Sequence, residues 1–240
     1  MTDFLQSVLR NAGIAAVAIA VGISGCVKTE SIEQPPPFEH RELDACLAYV
    51  VDQSGSFNQI WENGGYDLFL RISDQFFVDS MGGETKLVIA QLSGKSAVNV
   101  VLFEGRPTDL RNRFQSPEDL ARFLKEKSDP SGSQVFEATR RVTDYVMAMP
   151  DVTEQTKLMT VFFSDMVDTE HDAGERSAVG HRMLSSLTKY RELGGALAMY
   201  YVSPQETPRW RRICAEAGFE RGRFVIESTL VENPVLPTFN

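Results

Sequence analysis

Residues 47–56 read LAYVVDQSGS. Five apolar side chains in a row, with no alternation, describe a strand covered on both faces, as a parallel strand between two helix layers requires. The run stops abruptly at Asp52, Ser54 and Ser56, three short oxygen-bearing side chains on alternate positions. Gly55 eases the turn there, and Ser56 can begin a following helix. Strand, polar turn and helix in that order form a unit, and the chain on either side can be searched for more of it.

Downstream, helical spacing runs from about Phe57 to Asp79 with a break at Gly64-Gly65. It is followed by KLVIAQL (86–92) and NVVLFEG (99–105). The short SGKSA between those two strands permits only an antiparallel pair. SPEDLARFLKEK (116–127) predicts a helix with Ser116 as N-cap, Pro117 at the first helical position and acids in the first turn. VFEATRRVTDYVMAM (135–149) has helical spacing, KLMTVFFSD (157–165) reads as a buried strand, and SAVGHRMLSSLTKYRELGG (177–195) reads as a helix closed by Gly194-Gly195. ALAMYYV (196–202) is another buried strand, TPRWRRICAEAGF (207–219) another helix, and RFVIES (223–228) a last strand. The expected fold class is α/β: a doubly wound, mostly parallel six-stranded sheet with one antiparallel edge strand and helices on both faces. Ligands of such sheets sit beyond the carboxyl ends of the strands, where strand order reverses.

The 240 residues, 42% hydrophobic and 24% charged, are of ordinary globular composition and allow one domain of good size. A net charge of -9 and a pI near 4.9 argue against nucleic acid as a partner, since neutralising phosphates needs a basic face.

The first 25 residues differ from the rest. AGIAAVAIAVGISGC (12–26) is uncharged, short for a membrane span and about right for a secretory core segment. Ile23-Ser24-Gly25-Cys26 resembles the bacterial lipoprotein signal, in which a lipidated cysteine becomes the new N-terminus; the alternative is a retained anchor helix. Residues 26–43 follow as a polar linker with Pro35, Pro36 and Pro37, which favour an extended, stiff spacer. The expected organisation is a signal segment at 1–25, a linker at 26–43, a folded domain at 44–230 and a tail at 231–240. The expected localisation is the bacterial cell envelope, with the domain outside the cytoplasm and held to the membrane by lipid or anchor. Cys46 and Cys214 are expected as two core thiols.

Asp52, Ser54 and Ser56 leave the carboxyl end of the first strand. Asp165 holds the same position past another buried strand, and Ser133 stands just ahead of a helix. One reading gives each residue an ordinary role in turns and caps. The other gathers five oxygens from three loops at one end of the sheet, hard donors of the kind that magnesium, manganese or calcium accept.

The set Asp-x-Ser-x-Ser, hydroxyl, Asp in this order of elements resembles the metal-ion-dependent adhesion site of von Willebrand factor type A domains, over about residues 44 to 228. The resemblance implies that Ser54 and Ser56 bind Mg²⁺ (or Mn²⁺ or Ca²⁺) directly and that Asp52 and Asp165 help to hold it. Ser133 stands where the family usually has threonine, and Met166 where it often has glycine. It further implies a binding module and not an enzyme, engaging an Asp or Glu side chain of a protein partner. Two other functions stay open: a magnesium-dependent phosphohydrolase of the haloacid dehalogenase type, which would need an acid at Ser54, and a structural envelope lipoprotein with a degenerate site. The acidic run DTEHDAGE (168–175) reads as a solvated loop, Arg209, Arg211 and Arg212 as a helix surface around a buried Trp210, and His40 and His181 have no companion that suggests zinc or catalysis.

Overall fold

A computed structural model describes residues 41–52, 64–92, 100–127, 133–169, 172–229 and 233–239. All of them fall in the unit His40–Asn240. The expected lipidation site Cys26, the signal segment and the proline linker up to residue 40 lie outside the described residues, as do Ser54, Ser56 and His171.

Six strands form one sheet: β1 (Ala45–Val51), β2 (Thr85–Gln91), β3 (Val101–Gly105), β4 (Lys157–Phe163), β5 (Ala196–Tyr200) and β6 (Phe224–Glu227). Their order is β3-β2-β1-β4-β5-β6. β1 pairs in parallel with β2 and β4, β4 with β5 and β5 with β6, while β3 runs antiparallel to β2 at the edge. The mostly parallel α/β sheet with one antiparallel edge strand is thus as its sequence predicts. All seven residues of β1 are buried, which accounts for the absence of alternation in LAYVV.

Six α-helices are described: α1 (Tyr66–Phe77), α2 (Pro107–Arg113), α3 (Pro117–Lys127), α4 (Val135–Met147), α5 (Ala173–Glu192) and α6 (Thr207–Glu216). The apolar residues divide by strand parity. Cys46, Ala48 and Val50 of β1 join residues of α4, α5 and α6 in one core cluster. Leu47, Tyr49 and Val51 join residues of α1, α2 and α3 in another. Cys46 and Cys214 are free, buried thiols of the first cluster. Burial pushes both up to about 12, so neither is a thiolate near neutral pH.

Two helices depart from the sequence reading, and the packing of the expected tail adds to it. α2 was not expected, because its one buried side chain, Leu110, gives no periodicity. It forms because Pro107 opens it and the Asp109 carboxylate accepts the Arg106 N–H at 2.8 Å. α5 starts at Ala173, inside the run read as a solvated loop, because Asp172 caps it by accepting the Glu175 N–H at 2.7 Å. The C-terminal residues pack on the fold: Pro234 and Pro237 are buried, Leu236 and Phe239 lie against the second cluster, and Tyr200 donates its hydroxyl to the Val235 carbonyl at 2.8 Å. Among the described residues no helix is long and apolar enough to cross a membrane.

Candidate functional site

β1 and β4 are neighbours and end level with each other, since Val51 pairs with Phe163. The chain leaves both strands at the same end of the sheet, so Asp52 lies beside Ser164. Asp52 is 2% exposed and Ser164 is fully buried. The Asp52 backbone still donates to Phe163 O at 3.0 Å, which fixes where its side chain begins.

The Asp52 carboxylate accepts from two hydroxyls. Ser164 Oγ donates to Oδ2 at 3.0 Å, and Ser133 Oγ, ahead of α4, lies 3.2 Å from Oδ1 and 3.3 Å from Oδ2. Asp52 and Ser133, two of the five candidate residues, are therefore brought together. Asp165 is the next residue after Ser164, half-buried, with Oδ1 accepting the Val167 N–H at 3.0 Å. Burial raises its pKa above the ordinary carboxylate value; the Val167 N–H acts against this, and the negative charge of Asp52 adds to it. Asp165 makes no ion pair with a described residue.

The 164–169 segment holds these groups in place. Thr169 clasps Ser133 from both sides, accepting its N–H at 2.9 Å and donating through N and Oγ1 to its carbonyl at 2.9 and 3.1 Å. Asp168, 8% exposed, accepts the Phe136 N–H in the first turn of α4 at 3.1 Å. Met166 sits in the left-handed region at φ 60 and is fully buried. Its N–H goes to Ser164 Oγ at 2.9 Å, and its carbonyl takes the Trp210 indole N–H at 3.3 Å. Tyr201, just past β5, also has a positive φ of 70. Strained residues beyond two adjacent strand ends mark this end of the sheet as specialised.

Ser164, Asp168 and Thr169 were missed in the sequence. Ser164 reads as a turn residue, and the other two open the acidic run. The sole signal was position, since each lies within four residues of Asp165.

The described donors do not make up a metal centre. No group of three or more His, Cys, Asp or Glu side chains is placed to hold an ion among the described residues. The Asp52 carboxylate is already hydrogen-bonded to two hydroxyls, and two of the five expected oxygens, Ser54 and Ser56, lie outside the described residues.

The chain matches no known protein family and no curated protein sequence. Among solved structures it resembles the pilus adhesin SpaC from Lactobacillus rhamnosus GG in its open conformation, with 11% identity, a TM-score of 0.51 and coverage of 78% of this chain and 28% of that one. It also resembles the D319A mutant of the minor pilin PilB from Streptococcus sanguinis, with 10% identity, a TM-score of 0.51 and coverage of 78% of this chain and 58% of that one. The chain thus spans less than two thirds of each, and at these identities the likeness is one of fold.

These findings correct the expectation drawn from the Asp-x-Ser-x-Ser string. The identification as a von Willebrand factor type A domain with a metal-ion-dependent adhesion site does not stand: the fold neighbours are a pilus adhesin and a minor pilin, and no metal cluster is found among the described residues. The expected function, a divalent cation engaging an acidic residue of a partner, falls with it. The phosphohydrolase alternative falls too, since its nucleophile would be Asp52, almost wholly buried and hydrogen-bonded to two serines.

Proposed function

We propose that the chain is a non-enzymatic binding module displayed at the cell surface, of adhesin or pilin-like kind, which meets a protein or surface partner at the carboxyl ends of β1 and β4. The fold neighbours support the adhesin or pilin-like character. The strand order, with helices packed against both sets of strand side chains, supports a doubly wound sheet whose order reverses between β1 and β4, where such folds bind their ligands.

The observation that carries the location is the meeting of Asp52, Ser133 and Ser164 from three segments, with Asp165 next along the chain and within reach of the Asp52 charge. Two neighbouring carboxylates, one of them half-buried, favour a positively charged group, because a cation lowers the cost of holding both charges. A lysine or arginine of the partner supplies such a group.

Calorimetric titration of the full chain, kept in detergent, with a short lysine-rich peptide tests this reading. Asp165→Asn is expected to weaken binding about tenfold, equivalent to about 1.4 kcal/mol. Asp74→Asn, which removes an equal charge at an exposed position of α1, leaves binding within about twofold. Equal losses from the two substitutions would mean that the peptide reads net charge and not this site.

A further inference from the structure

Residues 233–239 read NPVLPTF, and their burial repeats every three residues. Pro234 and Pro237 are buried, Leu236 and Phe239 half-buried, Val235 and Thr238 exposed. A period of three belongs to the polyproline helix, and two prolines at that spacing favour it. Such a helix makes no hydrogen bonds within itself, so its polar groups are left for whatever it lies on.

The segment lies as a strap in a groove built by four separate parts of the fold. At the end of β5 the Tyr200 hydroxyl donates to the Val235 carbonyl at 2.8 Å. Ahead of β6, Gly222 O accepts the Thr238 N–H at 2.8 Å, and Arg223 Nη1 donates to the Thr238 carbonyl at 3.2 Å. Phe239 enters a cage. Its ring meets that of Phe76, near the end of α1, edge-on at 5.7 Å, while Lys157 Nζ at the start of β4 and Arg223 Cζ lie 5.0 and 5.5 Å from its centroid. A proline-bearing extended segment on an aromatic-lined surface is also how separate proteins recognise one another.

We propose that this groove also receives the same segment from a second copy of the chain, so that two copies associate by exchanging straps. The occupant is fixed by what already lies there: a second copy carries an identical strap, and a reciprocal exchange replaces every contact by its equal. No new complementarity is needed. Pro234 and Pro237 favour the exchange further, because their fixed φ reduces the freedom that the strap loses when it seats, on its own copy or on another. What opposes exchange is the connection. Residues 228–232 alone join the strap to β6, and a short connection gives it an effective concentration on its own groove in the range of about millimolar. Exchange therefore sets in as the concentration of copies approaches that value.

The test uses the full chain in detergent and a fluorophore-labelled peptide Asn-Pro-Val-Leu-Pro-Thr-Phe. Phe239→Ala weakens the strap and leaves Phe76, Lys157 and Arg223 in place, so this variant is expected to bind the peptide at least about tenfold more tightly than the parent, whose groove is filled. Leu236→Ala, a smaller change to the strap alone, is expected to act in the same direction. A peptide with both prolines replaced by glycine is expected to bind Phe239→Ala about tenfold more weakly. By light scattering, the parent should pass from monomer to dimer as its concentration nears about millimolar, and excess peptide should return it to monomer. Equal binding of the peptide to the parent and to both variants, no loss from the proline replacements, a parent that stays monomeric, or a dimer that excess peptide leaves intact would each overturn the proposal.

Discussion

Met166 shows how opposed effects meet in one side chain. Its left-handed backbone conformation costs a non-glycine residue about 1–2 kcal/mol. Its fully buried side chain returns about 1.5–3 kcal/mol of transfer free energy and fills a space in the first core cluster. Burial is the larger effect. Met166→Gly, which relieves the strain and empties the space, is expected to destabilise the chain by about 1–2 kcal/mol, read as a lower urea midpoint with an unchanged slope. At this scale the legible residues were the charged ones: an aspartate directly after an apolar run, as at Asp52, has few reasons to be there. Ser164, Asp168 and Thr169 were illegible because serine, threonine and aspartate are ordinary loop residues, and their roles depend on partners as distant as Asp52 and Ser133, joined only by the fold.

At the scale of elements, the junction of α5 and β5 is specified by two glycines with different tasks. Gly194 has φ +85, a left-handed residue that closes the helix. Gly195 has no room for a side chain: a Cβ there would lie 2.3 Å from Cε1 of the fully buried Tyr190, whose hydroxyl accepts from Thr160 Oγ1 at 2.9 Å. Gly195→Ala is therefore expected to destabilise by about 1–3 kcal/mol and to lower the thermal midpoint by several degrees, whereas an added methyl in open space would change little. The buried strands were legible because burial on both faces removes alternation, and α3 because its start is marked by Ser116 and Pro117. α2 was not, since a seven-residue helix burying only Leu110 has no period to detect, and its stop and start depend on Arg106 and Asp109. The first turn of α5 was hidden by its own acids, which suit a helix start as well as a loop.

For the whole molecule, the sheet is the constant and the loops are the variable. One side of β1, β2, β4 and β5 packs in the cluster of α4, α5 and α6, the other in that of α1, α2 and α3, and the polar groups of interest collect where the chain leaves β1 and β4. A short motif at that place suggested a family and an ion; a fold can carry such a place without fixing what occupies it.

The central claim, that a positive group of a partner is received beside Asp165, is tested most directly by following the Asp165 carboxyl carbon by NMR across a pH titration of the full chain, with and without the lysine-rich peptide. Without peptide, burial and then the Asp52 charge, opposed only by the Val167 N–H, hold the pKa above its ordinary value of 3.8. A bound ammonium favours the charged form and must lower it. Peptide affinity should correspondingly fall as the pH drops through the raised pKa, earlier than an unperturbed aspartate would allow. A pKa that stays the same with saturating peptide, or one that moves only when Mg²⁺ is added, would contradict the account.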